Sequence, residues 1–369
     1  MKEDIFITGV FYLARTGSPT CGGRRPGCSW LSQPYSRNKA EHHLIPPAIR
    51  GSGTGEIRVE TPFTASAPLK VEQQQSKDLP SYVLVTPARN EIAFLEQTIM
   101  SMVSQTVLPV RWLIVSDGST DGTDDIVKKY ASEYEWIRLL RMPERTERHF
   151  AGKAYSFNAG YSEVESLTFD IIANLDADIT FDKDYFSFLL EKFAQDPELG
   201  VAGTPFMEEN AAYDYRFTNI DHVSGACQLF RRECFESIGG YVPLSVGGID
   251  LVAVTTARMK GWKTRTFTEK VCEHHRKIGS SGNKFQKSPF KSGYHDYLMG
   301  VDPVWQFFRA IYQMGSKPFF LKGCALFSGY LWAMVRRVER PVSREFADFR
   351  KKENRERLKK FFKKFGHSG

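Results

Sequence analysis

No two of the six cysteines stand in a C-x-x-C pair and none has zinc-ligand spacing, so the sequence encodes neither a redox motif nor a structural zinc site. Unpaired thiols in a reducing cytoplasm are the expectation. A long apolar run is also missing. The uncharged stretch Gly323 to Val335 has thirteen residues, short of the ~20 that a spanning helix needs. A secretory leader is not expected over Ile5 to Ala14, because Glu3 and Asp4 put acid where such a leader carries base and no A-x-A-like site follows. Residues 1–78 lack periodicity and are rich in Gly, Pro, Ser and Gln, which predicts a disordered or low-complexity leader. A start codon placed too far upstream would account for that segment equally well.

What is present is enough apolar content, 41% of 369 residues, for one large core or two smaller ones. The net charge of +7 is concentrated at one end: Arg336 to Lys364 holds thirteen Lys/Arg against five Asp/Glu. Basic residues there alternate with acids and accompany no binding module, so nucleic acid is not the expected partner. From Ser81 onward, apolar runs of strand length (SYVLVT, RWLIVS, IRLLR, DIIANL, GVAGTP, GACQLF, KTRTF) alternate with helical patterns such as FLEQTIMSMVSQ and AYSFNAGYSEVE. That rhythm predicts an α/β domain with a mostly parallel sheet, right-handed crossovers and a nucleotide-binding architecture. In the turn DGSTDG, Thr123 is expected to cap the helix that follows.

One feature of this pattern carries chemistry. Asp176-Ala177-Asp178 ends the apolar run IIANL, where open α/β sheets bind ligands. Two carboxylates so close need a positive charge between them. Hard oxygen ligands of this kind suit Mg2+ or Mn2+ carrying a substrate diphosphate, which implies a nucleotide-type donor. Thr86, Asn90 and Glu91 after the first strand and Asp117 after the second are expected to project into the same crevice. Lys153 precedes a helix and is readable either as a phosphate contact or as a solvated lysine.

The strings VLVTPARNE, SDGSTDGT, AGKAYSFNAG, NLDAD and GACQLFRRECFESIGGY with GGIDLVAVTTARMKGWKT together resemble the glycosyltransferase family 2 enzymes of GT-A fold, many of them builders of bacterial polysaccharides. The resemblance covers about Ser81 to Arg276 and gives the domain bounds 79–276. It implies that Asp117 binds the donor base, favouring uracil or thymine through an imide N–H, although Ser116 stands where relatives often carry a second aspartate. It further implies that Asp178 is a direct ligand of Mn2+ or Mg2+, that Asp176 lies nearer the ribose and shares in the metal site, and that His274 or His275 approaches the metal or diphosphate. Only one of two adjacent strand histidines should face the site. Arg276 is expected to steady the leaving diphosphate. Asp250 stands where relatives place an acidic base, with Ile249 replacing the usual glutamate, and is expected to deprotonate the acceptor hydroxyl. No Q-x-x-R-W string follows it, which favours addition of one sugar per acceptor.

The expected activity is therefore inverting, metal-dependent transfer from a nucleotide-diphosphate sugar, UDP-linked by preference, to a hydroxyl of a lipid-linked glycan or polysaccharide precursor. A silent sugar-nucleotide-binding subunit and a sugar nucleotidyltransferase are the competing readings; the second lacks its basic glycine-rich loop, since PARNE occupies that place. Residues 277–300 read as a flexible lid or loop, and 301–369 as amphipathic helices with a basic tail. Trp332, Tyr330 and Phe327 suit a headgroup boundary, and the tail suits anionic lipid at ~1 kcal/mol per basic residue near the surface. The expected location is peripheral, on the cytoplasmic face of the inner membrane.

Overall fold

In a computed structural model the described residues are 79–144, 151–208, 211–212, 219–276, 288–315, 317 and 319–366. The leader predicted over residues 1–78 lies outside them, with Cys21 and Cys28. A seven-stranded sheet organises the domain, in the order β10-β6-β9-β4-β1-β2-β3. Its strands are β1 (Tyr82–Ala88), β2 (Arg111–Asp117), β3 (Ile137–Met142), β4 (Ile171–Leu175), β6 (Leu199–Gly203), β9 (Cys227–Arg231) and β10 (Lys263–Thr266). Every neighbouring pair is parallel except those made by β9, which runs antiparallel to both β4 and β6. The mostly parallel α/β sheet read from the alternation is thus present.

Helices α1 (Leu95–Val103), α2 (Thr123–Glu133), α3 (Ala151–Val164), α4 (Tyr185–Gln195), α5 (Arg232–Ile238) and α6 (Ile249–Met259) cover the sheet. Their apolar stripes meet it on two sides. One core holds Val83, Val85, Phe157, Phe230 and Phe235, the other Leu84, Leu95, Ile99, Trp112 and Phe186. Strands buried on both faces read as continuous apolar runs, each buried large side chain stabilising by ~1.5–3 kcal/mol. Since β1 has β2 on one side and β4 on the other, the loops leaving β1 and β4 part company there, which opens a crevice at the carboxyl ends of these strands.

A second, four-stranded sheet lies at that end: β5 (Ile179–Thr180), β11 (Cys272–His274), β7 (Phe206–Glu208) and β8 (Ala211–Ala212). Beyond it come α7 (Pro289–Leu298), α8 (Pro303–Met314), α9 (Leu321–Val335) and α10 (Arg344–Gly366). The loop expected over 277–300 is therefore wrong for its second half, where α7 forms; residues 277–287 lie outside the described chain. Polarity misled here, because α7 is held by contact and not by local preference. A Cβ at Gly293 would fall within the radius of the Leu326 carbonyl oxygen of α9, and one at Gly329 within that of the Phe290 carbonyl oxygen of α7. Gly293→Val should accordingly force α7 and α9 apart and cost about 3 kcal/mol. Urea unfolding checks this, and an unchanged midpoint would show that the crossing is loose. No helix among the described residues is long and apolar enough to cross a membrane.

Candidate active site

The aspartate pair leaves β4 on a tethered turn. Asp176 N donates to the Ala226 carbonyl (2.9 Å), and the Thr98 hydroxyl of α1 donates to the carbonyl of the buried Ala177 (2.9 Å). The chain then enters β5, whose antiparallel pairing with β11 sets Ile179 opposite His274. This pairing brings in residues nearly a hundred positions away. His275 N donates to the Asp178 carbonyl (2.9 Å) and its ring meets Thr180 Oγ1 (2.8 Å), while His274 turns to the aspartates with Nε2 3.6 Å from Asp178 Oδ1.

One ligand atom each from Asp176, Asp178 and His274 lie within 4.8 Å of one another. Two features mark this point as one where a ligand fits. Burial and then the neighbouring Asp178 charge raise the Asp176 carboxyl above its ordinary range, against the opposing pull of Lys153. His274 Nδ1 is buried with no hydrogen-bond partner. Two carboxylates and an imidazole suit a divalent cation, the imidazole fitting Mn2+ better than Mg2+. Side-chain cations already border the pair. Lys153 is ion-paired with Asp176 and donates to the Gly225 carbonyl (2.9 Å), which removes the reading of a solvated lysine. Arg276 Nε lies 3.4 Å from Asp178 Oδ2 while its other end is ion-paired with Glu91.

Arg276 therefore joins the loop after β1 to the turn after β4. The β1 loop is itself braced: Asn90, at φ 57°, accepts from Thr120 N (2.9 Å) through its side chain, and its own N–H donates to Ser119 Oγ (3.1 Å). Asn90 and Glu91 thus shape the crevice wall by contacts within the protein. Thr123 does not cap α2 as expected, since Gly122 takes that position at φ 93°. Its hydroxyl instead accepts from Glu91 N (2.8 Å). Thr86 is a second correction. It is fully buried within β1 and accepts from the Trp112 indole (2.9 Å), so its side chain does not reach the crevice. Asp117 closes β2, with Arg89 at 3.5 Å.

Asp250 is the second residue of α6, whose start is set by Gly248 at φ 86°. Its carboxylate packs on Gly225, where an added Cβ would stand 3.3 Å from Asp250 Oδ2. The carbonyl of that same glycine receives Lys153 Nζ, the partner of Asp176, and Asn174 Nδ2 (2.9 Å). The proximity has an electrostatic signature as well: burial first, then the charges of Asp250 and Asp176, push the Tyr241 phenol well above its usual value. Asp250 and the aspartate pair accordingly border one region, with the Gly225 backbone between them.

Sequence reasoning missed Asn174, Arg89 and Tyr241. Asn174 left a signal, being the polar residue inside the apolar strand IIANL; it is fully buried. Tyr241 left none, since it enters by packing on Phe157 (ring centroids 4.8 Å) and by donating to Gln228 Oε1.

Residues 83–239 match the family model described as "Glycosyl transferase family 2". Among curated proteins the chain is similar to the "Probable glycosyltransferase YdaM" of Bacillus subtilis, 30% identical over 156 residues (41% of this chain, 36% of that protein). It is also similar to the "Poly-beta-1,6-N-acetyl-D-glucosamine synthase" of Staphylococcus epidermidis, 25% identical over 214 residues (58% and 48%). The chain thus spans less than half the length of these relatives. Among solved structures it is similar to a mannosyltransferase from Pyrobaculum calidifontis in complex with GDP-Man and Mn2+, at TM-score 0.47 and 19% identity, covering 73% of this chain and 78% of that one. Another is S. aureus TarS 1–349 in complex with UDP-GlcNAc, at TM-score 0.44 and 12% identity (68% and 71%).

Proposed function

We propose that this chain, whose residues 83–239 belong to glycosyl transferase family 2, transfers a sugar with inversion from a nucleotide-diphosphate donor, UDP-linked by preference, to a hydroxyl of a glycan or polysaccharide precursor carried on lipid. The observation that carries this reading is that Asp176 clusters with Asp178 and His274 and is paired with Lys153, which donates to the Gly225 carbonyl, while Asp250 packs on that same glycine. A donor diphosphate lies at the first group, its charge met by Lys153 and Arg276. A divalent ion bound there adds Lewis-acid stabilisation of the departing diphosphate worth several kcal/mol. Asp117 accepts the imide N–H of the base. Asp250 accepts the proton that the acceptor hydroxyl loses as its oxygen attacks the anomeric carbon, and the bond to the diphosphate breaks on the opposite face.

The test uses the full chain with Mn2+ or Mg2+ and a panel of radiolabelled nucleotide sugars. One donor should undergo slow hydrolysis or transfer, and EDTA should lower that rate at least about 100-fold, with recovery on adding metal. Turnover unaffected by EDTA would remove the metal from the reading. Binding of a donor without turnover on any acceptor would favour a silent binding subunit. Formation of a nucleotide sugar from sugar phosphate and nucleoside triphosphate would favour the nucleotidyltransferase.

A further inference from the structure

Helix α8 carries its polarity the wrong way round for a helix in water. Its outward stripe is Val304, Phe307 and Ile311, exposed by 50%, 48% and 47% at spacings of three and four residues. The face it buries holds Gln306, Arg309 and Gln313 beside Trp305 and Ala310. Inside, Arg309 is ion-paired with Asp296, and Gln306 Nε2 donates to the same carboxylate (3.1 Å). Water selects the reverse arrangement, with apolar residues inward and charge outward.

The apolar surface continues past α8. Phe319, Phe320 and Leu321 form the turn into α9 and are exposed by 56%, 69% and 69%, with Phe320 held at φ 61°. An apolar groove of about 180 Å³ runs between α8 and α9, lined in part by Phe307, Ile311, Cys324 and Phe327. Trp332 and Val335 extend the exposed face to the end of α9.

The border of this face is predominantly basic. Between Asp302 and Glu339 the chain contains no acidic residue, and besides the buried Arg309 it contains Lys317, Lys322, Arg336 and Arg337. The end of α10 joins the border, because Phe362 meets Phe308 of α8 edge to face (5.4 Å between ring centroids), next to the exposed Lys359, Lys360 and Lys363. A second copy meeting this face about a twofold axis would set base against base. The medium that suits an apolar centre with a cationic rim is a bilayer whose headgroups are anionic.

We propose that the outer face of the α8–α9 hairpin seats this protein on an anionic phospholipid surface, with Phe319, Phe320 and Leu321 entering the acyl boundary and the lysines and arginines resting on the headgroups. At fifteen residues α9 is too short to span, so the contact is interfacial. The inference goes beyond the proposed transfer reaction and does not depend on it, since lipid binding is read without donor or acceptor.

Flotation of the full chain with phosphatidylcholine vesicles, with and without about a third phosphatidylglycerol, tests it. At low salt, recovery on the anionic vesicles should exceed that on neutral ones at least 10-fold, and added salt should erase the difference. Phe320→Ser with Leu321→Ser, and separately Arg336→Gln with Arg337→Gln, should each lower anionic-vesicle binding several-fold with circular dichroism unchanged. If the serine pair impairs folding, an environment-sensitive dye on the exposed Cys324, in a chain with Cys21→Ser and Cys28→Ser, replaces it. Its emission should shift to the blue on adding anionic vesicles. Equal binding to both vesicle types, no recovery on either, or an unshifted dye overturns the proposal. So does a parent chain that light scattering finds dimeric and the serine pair renders monomeric, since the face would then belong to a second copy.

Discussion

Asp178→Asn is expected to lower kcat/KM at least about 1000-fold with the preferred donor, a loss of about 4 kcal/mol in transition-state stabilisation. The size follows from what Asp178 touches. Its two oxygens face different partners, Oδ1 towards His274 and Oδ2 towards Arg276, and it belongs to the set of three groups that suits a cation. Asparagine keeps the shape but offers one neutral oxygen. The half-buried guanidinium of Arg276 would then have Glu91 alone as an anionic partner, and the metal set would fall to one carboxylate and an imidazole. Initial rates over a Mn2+ titration check this. The variant should need far more metal and should not regain the parent rate at saturation, while its melting temperature stays close to the parent's. Asp176→Asn should be milder, because the Asp176 carboxylate already shares its charge with Lys153. Turnover of Asp178→Asn within tenfold of the parent would mean that neither donor nor metal depends on that carboxylate.

The sheet was legible because strands buried on both faces leave an unmistakable trace: SYVLVT, RWLIVS and DIIANL are mostly apolar runs bounded by polar loops. That same property hid Thr86. In a strand with no solvent side, alternation does not reveal which way a threonine points, and this one turned to the Trp112 indole. The direction of β9 was equally silent, since its antiparallel course is decided by how the chain returns from β6 and not by the composition of GACQLF. The aspartate pair was readable from its place at a strand end, but its contacts were not. His274 and Arg276 arrive through the β5–β11 pairing, a long-range event with three-residue strands at most and no local pattern to announce it. Helix α7 was missed for a further reason. PFKSGYHDYL is a poor helix by propensity, and the close crossing at Gly293 overrides that preference.

Asp250→Asn is expected to lower kcat between about 100- and 10,000-fold, the range spanned by loss of a positioned general base. The KM for the donor should move little. Asp250 packs on the Gly225 backbone, away from the atoms that would hold a metal, so donor and cation can bind without it. A plain helix-start role predicts something different. A carboxylate in the first turn of α6 interacts with the helix dipole for ~0.3–1 kcal/mol, which would register as a small drop in stability and none in rate. The measurement therefore pairs single-turnover kinetics on a pre-bound donor with a urea melt. A slow chemical step with an unchanged midpoint assigns the proton to Asp250. An unchanged chemical step with a lower midpoint assigns the residue to helix stability. In that case the base would have to come from another group near Gly225, and Asp176, whose carboxylate is tied to Lys153 and belongs to the cluster that suits a cation, is poorly placed to take a proton.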